Sequence, residues 1–311
     1  MAVPAPLRFA WDTINKFFGD GCPGMAAAIS FYTFFSLPAL LILLLLLIEP
    51  LANPVAVQDV IEDQVGSLIG PAGASQVRTI LEHANAPQGS SLGTAIGLVV
   101  LIFGATTAFA QLQSALNRAW GVKPDPKRGD IRNFLAKRIL SFGMVLVIAF
   151  MLLVSLAISA ALVAFGDVLN ATLPEPWSGR LLSAVYTVLS FAIVALLFAA
   201  IFKVIPDAVI AWADVWAGAV ATALLFVAGK YVIGLYLGRT DPGNAYGAAG
   251  SLAIILVWVY YSAMILLFGT ELTQVWAERH GRSIEPEKGA VRVIEQTREI
   301  REPSRQGDGT A

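Results

Sequence analysis

The stretch AAAISFYTFFSLPALLILLLLLI, residues 26–48, decides the fold, because it contains no charged side chain from end to end. A bilayer core about 30 Å thick needs roughly 20 consecutive apolar residues in helical form, since backbone amides cannot be left unpaired in hydrocarbon. The stretch is too long for the core of a cleaved signal peptide, which runs about 7–15 residues, and residues 1–25 precede it. It reads as a membrane span.

Working outward, five further stretches satisfy the same length criterion: 92–111, 139–165, 182–202, 215–237 and 251–269. The predicted fold is an all-α membrane protein, a six-transmembrane-helix bundle over residues 26–280. Composition agrees: 57% of residues are hydrophobic and 14% charged, against about 45–50% and about 25% in soluble domains.

The positions of lysine and arginine orient the bundle, because positively charged loops resist translocation. Arg8 and Lys16 precede the first span. Arg118, Lys123, Lys127, Arg128, Arg132, Lys137 and Arg138 crowd the second connection, Lys203 lies in the fourth, and the remainder of this group follow Thr270. Of 21 Lys+Arg in the chain, only Arg78, Arg180 and Arg239 fall on the opposite side, and Lys230 falls inside a span. The expected location is a bacterial inner membrane, multi-pass, with both termini cytoplasmic.

Outside the spans, Leu7, Trp11, Ile14 and Phe18 recur at helical spacing on one face, which predicts an interfacial helix within the cytoplasmic segment 1–25. Packing of that helix against the end of the bundle is the alternative. The connection 49–91 carries two helical patterns between prolines and glycines, Val57 to Leu68 and Val77 to Ala84, and is acidic. It predicts a helical extracytoplasmic loop. Residues 281–311 alternate in charge without an apolar core, and predict a mobile cytoplasmic tail.

Several chemistries are excluded. One cysteine, Cys22, forms no intramolecular disulfide, and His83 with His280 cannot build a His-rich metal site. No Gly-rich Lys-Ser/Thr nucleotide motif occurs. No histidine or cysteine lies within a span to serve an intramembrane nucleophile, so no catalytic set, metal or cofactor is expected, and the protein reads as no enzyme. The basic connection has only Trp120 and Phe134 as aromatic partners, so no nucleic-acid partner is expected. Each of its charges near an anionic leaflet contributes about 1 kcal/mol, which makes membrane lipids, anionic ones among them, the expected partners. The sequence leaves the oligomeric state open.

Polar residues inside spans mark bundle interiors or aqueous pathways more often than lipid-facing surface. Ser30, Tyr32, Thr33 and Ser36 in the first span share a depth with Thr106, Thr107 and Gln111 in the second and with Tyr260, Tyr261 and Ser262 in the sixth, and Glu271 stands at its inner end. Pro38 lacks an N–H and clashes with the carbonyl four residues back, so it predicts a bend or opening in the first helix. These residues predict a cytoplasm-facing cavity between spans one, two and six. The rival reading is that the hydroxyls only tie helices together. Lys230 is the one intramembrane charge, and its options are to snorkel outward, to pair with Glu49 or Asp241, or to serve transport. Gly93 with Gly97, and Gly234 with Gly238, have the spacing of close helix contacts.

Four motifs then carry a resemblance. Ala26-Ala27-Ala28-Ile29-Ser30-Phe31-Tyr32 with Ser36-Leu37-Pro38, Ala115-Leu116-Asn117-Arg118-Ala119-Trp120-Gly121-Val122, Tyr246-Gly247, and Gly269-Thr270-Glu271-Leu272 together resemble the YihY/BrkB family of bacterial inner-membrane proteins. Thr270 stands where that family usually has alanine. Members have carried the labels of ribonuclease and of virulence or serum-resistance factor. The ribonuclease label is rejected for this chain, because the topology assigns His83 and His280 to opposite sides of the membrane.

The expected function is binding or translocation of an amphipathic or lipid-linked envelope molecule through the cytoplasm-facing cavity, with Tyr32, Ser36, Asn117, Tyr260 and Glu271 as polar contacts. A structural or scaffolding membrane protein without transport is the alternative.

Overall fold

In the computed structural model, the described residues are 5–48, 58–59, 61–63, 66, 74–75, 77–79, 107–125, 177–240, 250–282 and 284–293. Helices dominate them. In chain order they are α1 (Ala5–Gly19), α2 (Cys22–Ile48), α3 (107–119), α4 (Trp177–Val204), α5 (Trp212–Thr240) and α6 (Gly250–Arg279). Four short strands complete the set: β1 (Val122–Pro124), β2 (Ala208–Val209), β3 (Glu285–Pro286) and β4 (Ala290–Arg292).

Among the described residues, Ser183–Val204, Trp212–Ile233 and Leu252–Arg279 are long and apolar enough to cross a membrane. They fall on three of the six expected spans. Helix α2 coincides with the opening stretch and continues unbroken through Pro38. The span expected at 139–165 lies outside the described residues, and the one at 92–111 enters them only at 107–111. Within the expected helical loop 49–91, the described residues are all helical, with Ile61 and Val77 buried.

Helix α6 is the central post. It packs against α2 on one side and α5 on another, α5 carries α4, and α1 lies across α6 and α2. The α5–α6 contact is built on reciprocal glycine–threonine pairs. A Cβ at Gly218 of α5 would collide with Thr273 of α6, and a Cβ at Gly269 of α6 would collide with Thr222 of α5. Each threonine returns its hydroxyl to the carbonyl four residues back, Thr222 to Gly218 and Thr273 to Gly269, both at 2.6 Å. The hydroxyls are therefore satisfied within their own helix, and the same hydroxyl oxygens, with the Cβ and methyl groups behind them, fill the space the glycines leave. Further along, Tyr261 fills the space over Gly229 and donates to Leu225 O at 3.4 Å. Among the glycines whose surroundings are described, the close approach runs through Gly218, Gly229 and Gly269, and the surroundings of Gly234 and Gly238 lie outside that set. Gly93 and Gly97 lie outside the described residues.

At one end of the bundle, three helices stop at glycines in the left-handed region: Gly21 (φ 71°) after α1, Gly121 (φ 63°) after α3, and Gly281 (φ 70°) after α6. This conformation is disfavoured for residues with a Cβ and is the usual way of closing a helix C-terminus. Here it turns α1 sharply into α2 and sends α3 directly into β1.

The segment 284–293 differs from the sequence expectation. Instead of opening a mobile tail, it forms β3 and β4. Strand β4 pairs antiparallel with β1, Val122 opposite Arg292 and Pro124 opposite Ala290, and β3 pairs antiparallel with β2, Ala208 opposite Pro286. Val293 N donates to Gly121 O at 2.8 Å and Glu287 N to Asp207 O at 3.0 Å. Ile284 at its start packs against the apolar cluster, and the segment's backbone groups find partners on two other connections. Residues 294–311 lie outside the described set.

Candidate functional site

The end of the bundle where these strands lie forms a collar of polar ties around a buried apolar plug of Leu116, Trp120, Val122, Phe202, Ile205 and Ile210. Helix α3 presents Gln113 and Asn117, one turn apart, to the α4–α5 connection. Asn117 Nδ2 donates to Asp207 Oδ2 at 2.8 Å and its Oδ1 accepts from Asp207 N at 2.8 Å. Gln113 Nε2 donates to Asp207 Oδ1 at 3.2 Å and to Ile205 O at 3.1 Å. Both amides are buried. Lys203 Nζ donates to Ile210 O at 2.6 Å and lies over the Trp212 ring.

Asp214 is buried in the first turn of α5, where a carboxylate complements the helix dipole, and pairs with Arg282 at 2.8 Å. Helix α1 joins the collar through Asp12 to Arg279 and Lys16 to Glu278, each at 2.8 Å. Its Phe17 packs edge-on against Phe268 and its Phe9 against Trp276. The opposite face of α1 carries the predicted stripe, and there Leu7 is 60%, Trp11 63% and Phe18 63% exposed. Helix α1 therefore combines a packed face with an unpartnered apolar face.

Two hollows open in the collar at the α3–β1 junction. The smaller, about 180 Å³, is lined by Lys16, Asp20, Arg118, Lys123 and Gln274 together with backbone around Gly121. The larger, about 330 Å³, is lined by Gln113, Ser114, Asn117, Arg118, Lys123 and Pro124.

Glu271, fully buried, faces the start of α2. Its Oε1 accepts from Cys22 Sγ at 3.6 Å, and its Oε2 has no hydrogen-bond partner among the described residues. Burial, with the Glu271 carboxyl alongside, pushes the Cys22 thiol above its usual range. Gln274 Oε1, one turn beyond Glu271, is likewise buried without a partner among the described residues.

The residues expected to line one cavity are distributed as follows. Ser30 donates to Leu256 O at 2.8 Å and so ties α2 to α6. Ser36 donates to Thr33 O within α2 at 3.0 Å. Tyr32 is exposed on the outside of α2 beside Phe31 and Phe35. Pro38 is half-buried inside α2. Tyr261 turns toward α5, while Tyr260 packs against the apolar cluster. Thr107 is exposed and Gln111 half-buried on α3, and Thr106 lies outside the described residues. Lys230 is half-buried and makes no ion pair among the described residues. Asn117 and Glu271 both sit at the collar end. Gln113 and Asp207 were missed by sequence reading. Their signal was faint: a glutamine one turn before Asn117 on the same helical face, and an aspartate after the proline of a short connection.

Comparison with known proteins places the chain. Residues 13–293 match the family described as Virulence factor BrkB. The chain belongs to that family. Among relatives of this BrkB-family chain, a UPF0761 membrane protein of Pseudomonas aeruginosa (strain LESB58) is 28% identical over 302 residues, covering 94% of this chain and 70% of its own. A UPF0761 membrane protein of Ralstonia nicotianae is 29% identical over 261 residues, covering 81% and 55%, and one of Stenotrophomonas maltophilia is 25% identical over 272 residues, covering 87% and 60%. These names describe membrane proteins and state no enzymatic activity. No solved structure matches. The BrkB match covers α1 from Thr13, all four strands and the collar except Asp12.

Proposed function

We propose that this BrkB-family chain is a six-span, multi-pass protein of the bacterial inner membrane with both termini cytoplasmic, and that it binds or translocates an amphipathic or lipid-linked envelope molecule entering from the cytoplasmic side. It acts without enzymatic chemistry. The observation that carries this reading is the pairing, at one end of the bundle, of the outward apolar stripe of α1 with basic hollows. An apolar face flanked by charge lies in the plane of a membrane interface, and the hollows beside it offer a polar group a place to dock. The collar also joins the N-terminal helix, the second and fourth connections and the C-terminal strands, the four segments that the charge distribution assigns to the cytoplasm.

The test is reconstitution into vesicles with fluorescent envelope lipids added to one leaflet. Transport predicts protein-dependent movement between leaflets that is lost when Trp11 and Phe18 are both changed to serine. Absence of movement for every labelled lipid, beside a working control flippase, overturns it.

A scaffolding role is favoured by a separate observation, that Ser30, Ser36, Thr222, Tyr261 and Thr273 all spend their hydroxyls on backbone carbonyls. Under that reading, the vesicles show no lipid movement while the protein remains folded.

A further inference from the structure

The two hollows share Arg118 and Lys123 but differ in electrostatics. In the smaller, Asp20 contributes an opposing charge, and Lys16 is already committed to Glu278. No acidic side chain lines the larger. The end of α3 adds about half a negative charge there and the Asp207 carboxylate behind the wall, its oxygens taken up by Gln113 and Asn117, adds one more, which together is still less than the two cations supply. Among the described residues neither Arg118 nor Lys123 is held in an ion pair, whereas Lys16, Arg279 and Arg282 all are. The wall behind them is rigid, because Asp207 fixes the buried amides of Gln113 and Asn117. At about 330 Å³ the hollow stands at the lower end of the range for small-molecule sites, enough for a headgroup.

We infer that the larger hollow is a binding site for a phosphate-bearing group, held by Arg118 and Lys123 with Ser114 as a further hydrogen-bonding group. Guanidinium and ammonium groups suit phosphate oxygens, Arg as a two-pronged donor and Lys as a point charge. The phosphate reaches the hollow either as a lipid headgroup at the interface or as a soluble ion. The inference names the headgroup chemistry of the function proposed above and rests on that reading only for the lipid source. A protein that binds phosphate here and moves no lipid keeps the site and loses the transport reading.

The test uses the full-length chain in nanodiscs of phosphatidylcholine, with two probes: phosphatidic acid doped into the discs and counted by native mass spectrometry, and inorganic phosphate titrated by calorimetry. Wild type is compared with Arg118→Glu, Lys123→Glu, the double variant, and Arg8→Glu, a charge reversal on exposed α1 that lines neither hollow. Thermal melting confirms that each is folded.

The site predicts that binding weakens at least about tenfold in the double variant and less than about twofold in Arg8→Glu. Competition between the probes supports a phosphate site open to both sources. Phosphatidic acid bound without displacement by phosphate supports the lipid source, and phosphate binding alone supports the soluble one. Binding of neither probe overturns the inference, as does equal weakening by Arg8→Glu.

Discussion

Cys22 shows how far a single side chain can be insulated by its surroundings. It is fully buried, donates to a carboxyl and is pushed toward the neutral thiol. The thiolate is the reactive form, so the folded protein resists alkylation. As the chain has one cysteine, maleimide labelling reads this site alone. The folded protein in detergent is expected to label at least about tenfold more slowly than the denatured chain at the same pH; equal rates contradict the packing of α2 on α6. The sequence suggested that Glu271 matters through its place in a family motif. It did not suggest that one oxygen would meet only a thiol and the other no protein donor among the described residues. That depends on which helix start lies opposite, which helical periodicity does not encode.

Among the elements, the α5–α6 seam depends most on small side chains. Gly218–Thr273 and Gly269–Thr222 form one interlocked set, and neither helix can approach if either glycine acquires a branched side chain. Gly218→Val and Gly269→Val are each expected to cost about 1–3 kcal/mol by overpacking, seen as a lower thermal midpoint of the purified protein. Serine at Gly24, where a Cβ meets nothing within 4 Å, is expected to leave the midpoint unchanged. The seam was half legible: Gly269 stood in a quoted motif, whereas Gly218 and Gly229 carried no spacing signal; the pairs Gly93 with Gly97 and Gly234 with Gly238 fall where the surroundings lie outside the described residues. Small-residue spacing identifies helices capable of close approach, and the facing partner chooses which of them is used. The stripe on α1 was legible in full, since periodicity fixes a face. Only the packing of Phe9, Thr13 and Phe17 shows that the stripe is the outward one.

For the whole molecule, the collar links segments that are distant in sequence, several of them through pairs of opposite charge. A topology with both termini cytoplasmic places all its ties on one side of the membrane. Reporter fusions after residue 311 and at residue 1 are therefore expected to be active only with a cytoplasm-dependent reporter, and activity of an export-dependent reporter at either end contradicts the topology.

The sequence by itself determined that residues 26–48, 182–202, 215–237 and 251–269 are helical, and it determined the uneven distribution of lysine and arginine, because hydrocarbon length and charge are local properties of the chain. The tertiary structure decided where the polar residues go. It sent Tyr261 to α5, Ser30 to α6 and Asn117 to Asp207, and it gave 284–293 two strands to pair with. The physical reason is that a hydrogen bond is satisfied by whichever donor or acceptor the packing brings within reach, and that neighbour lies far away in the sequence.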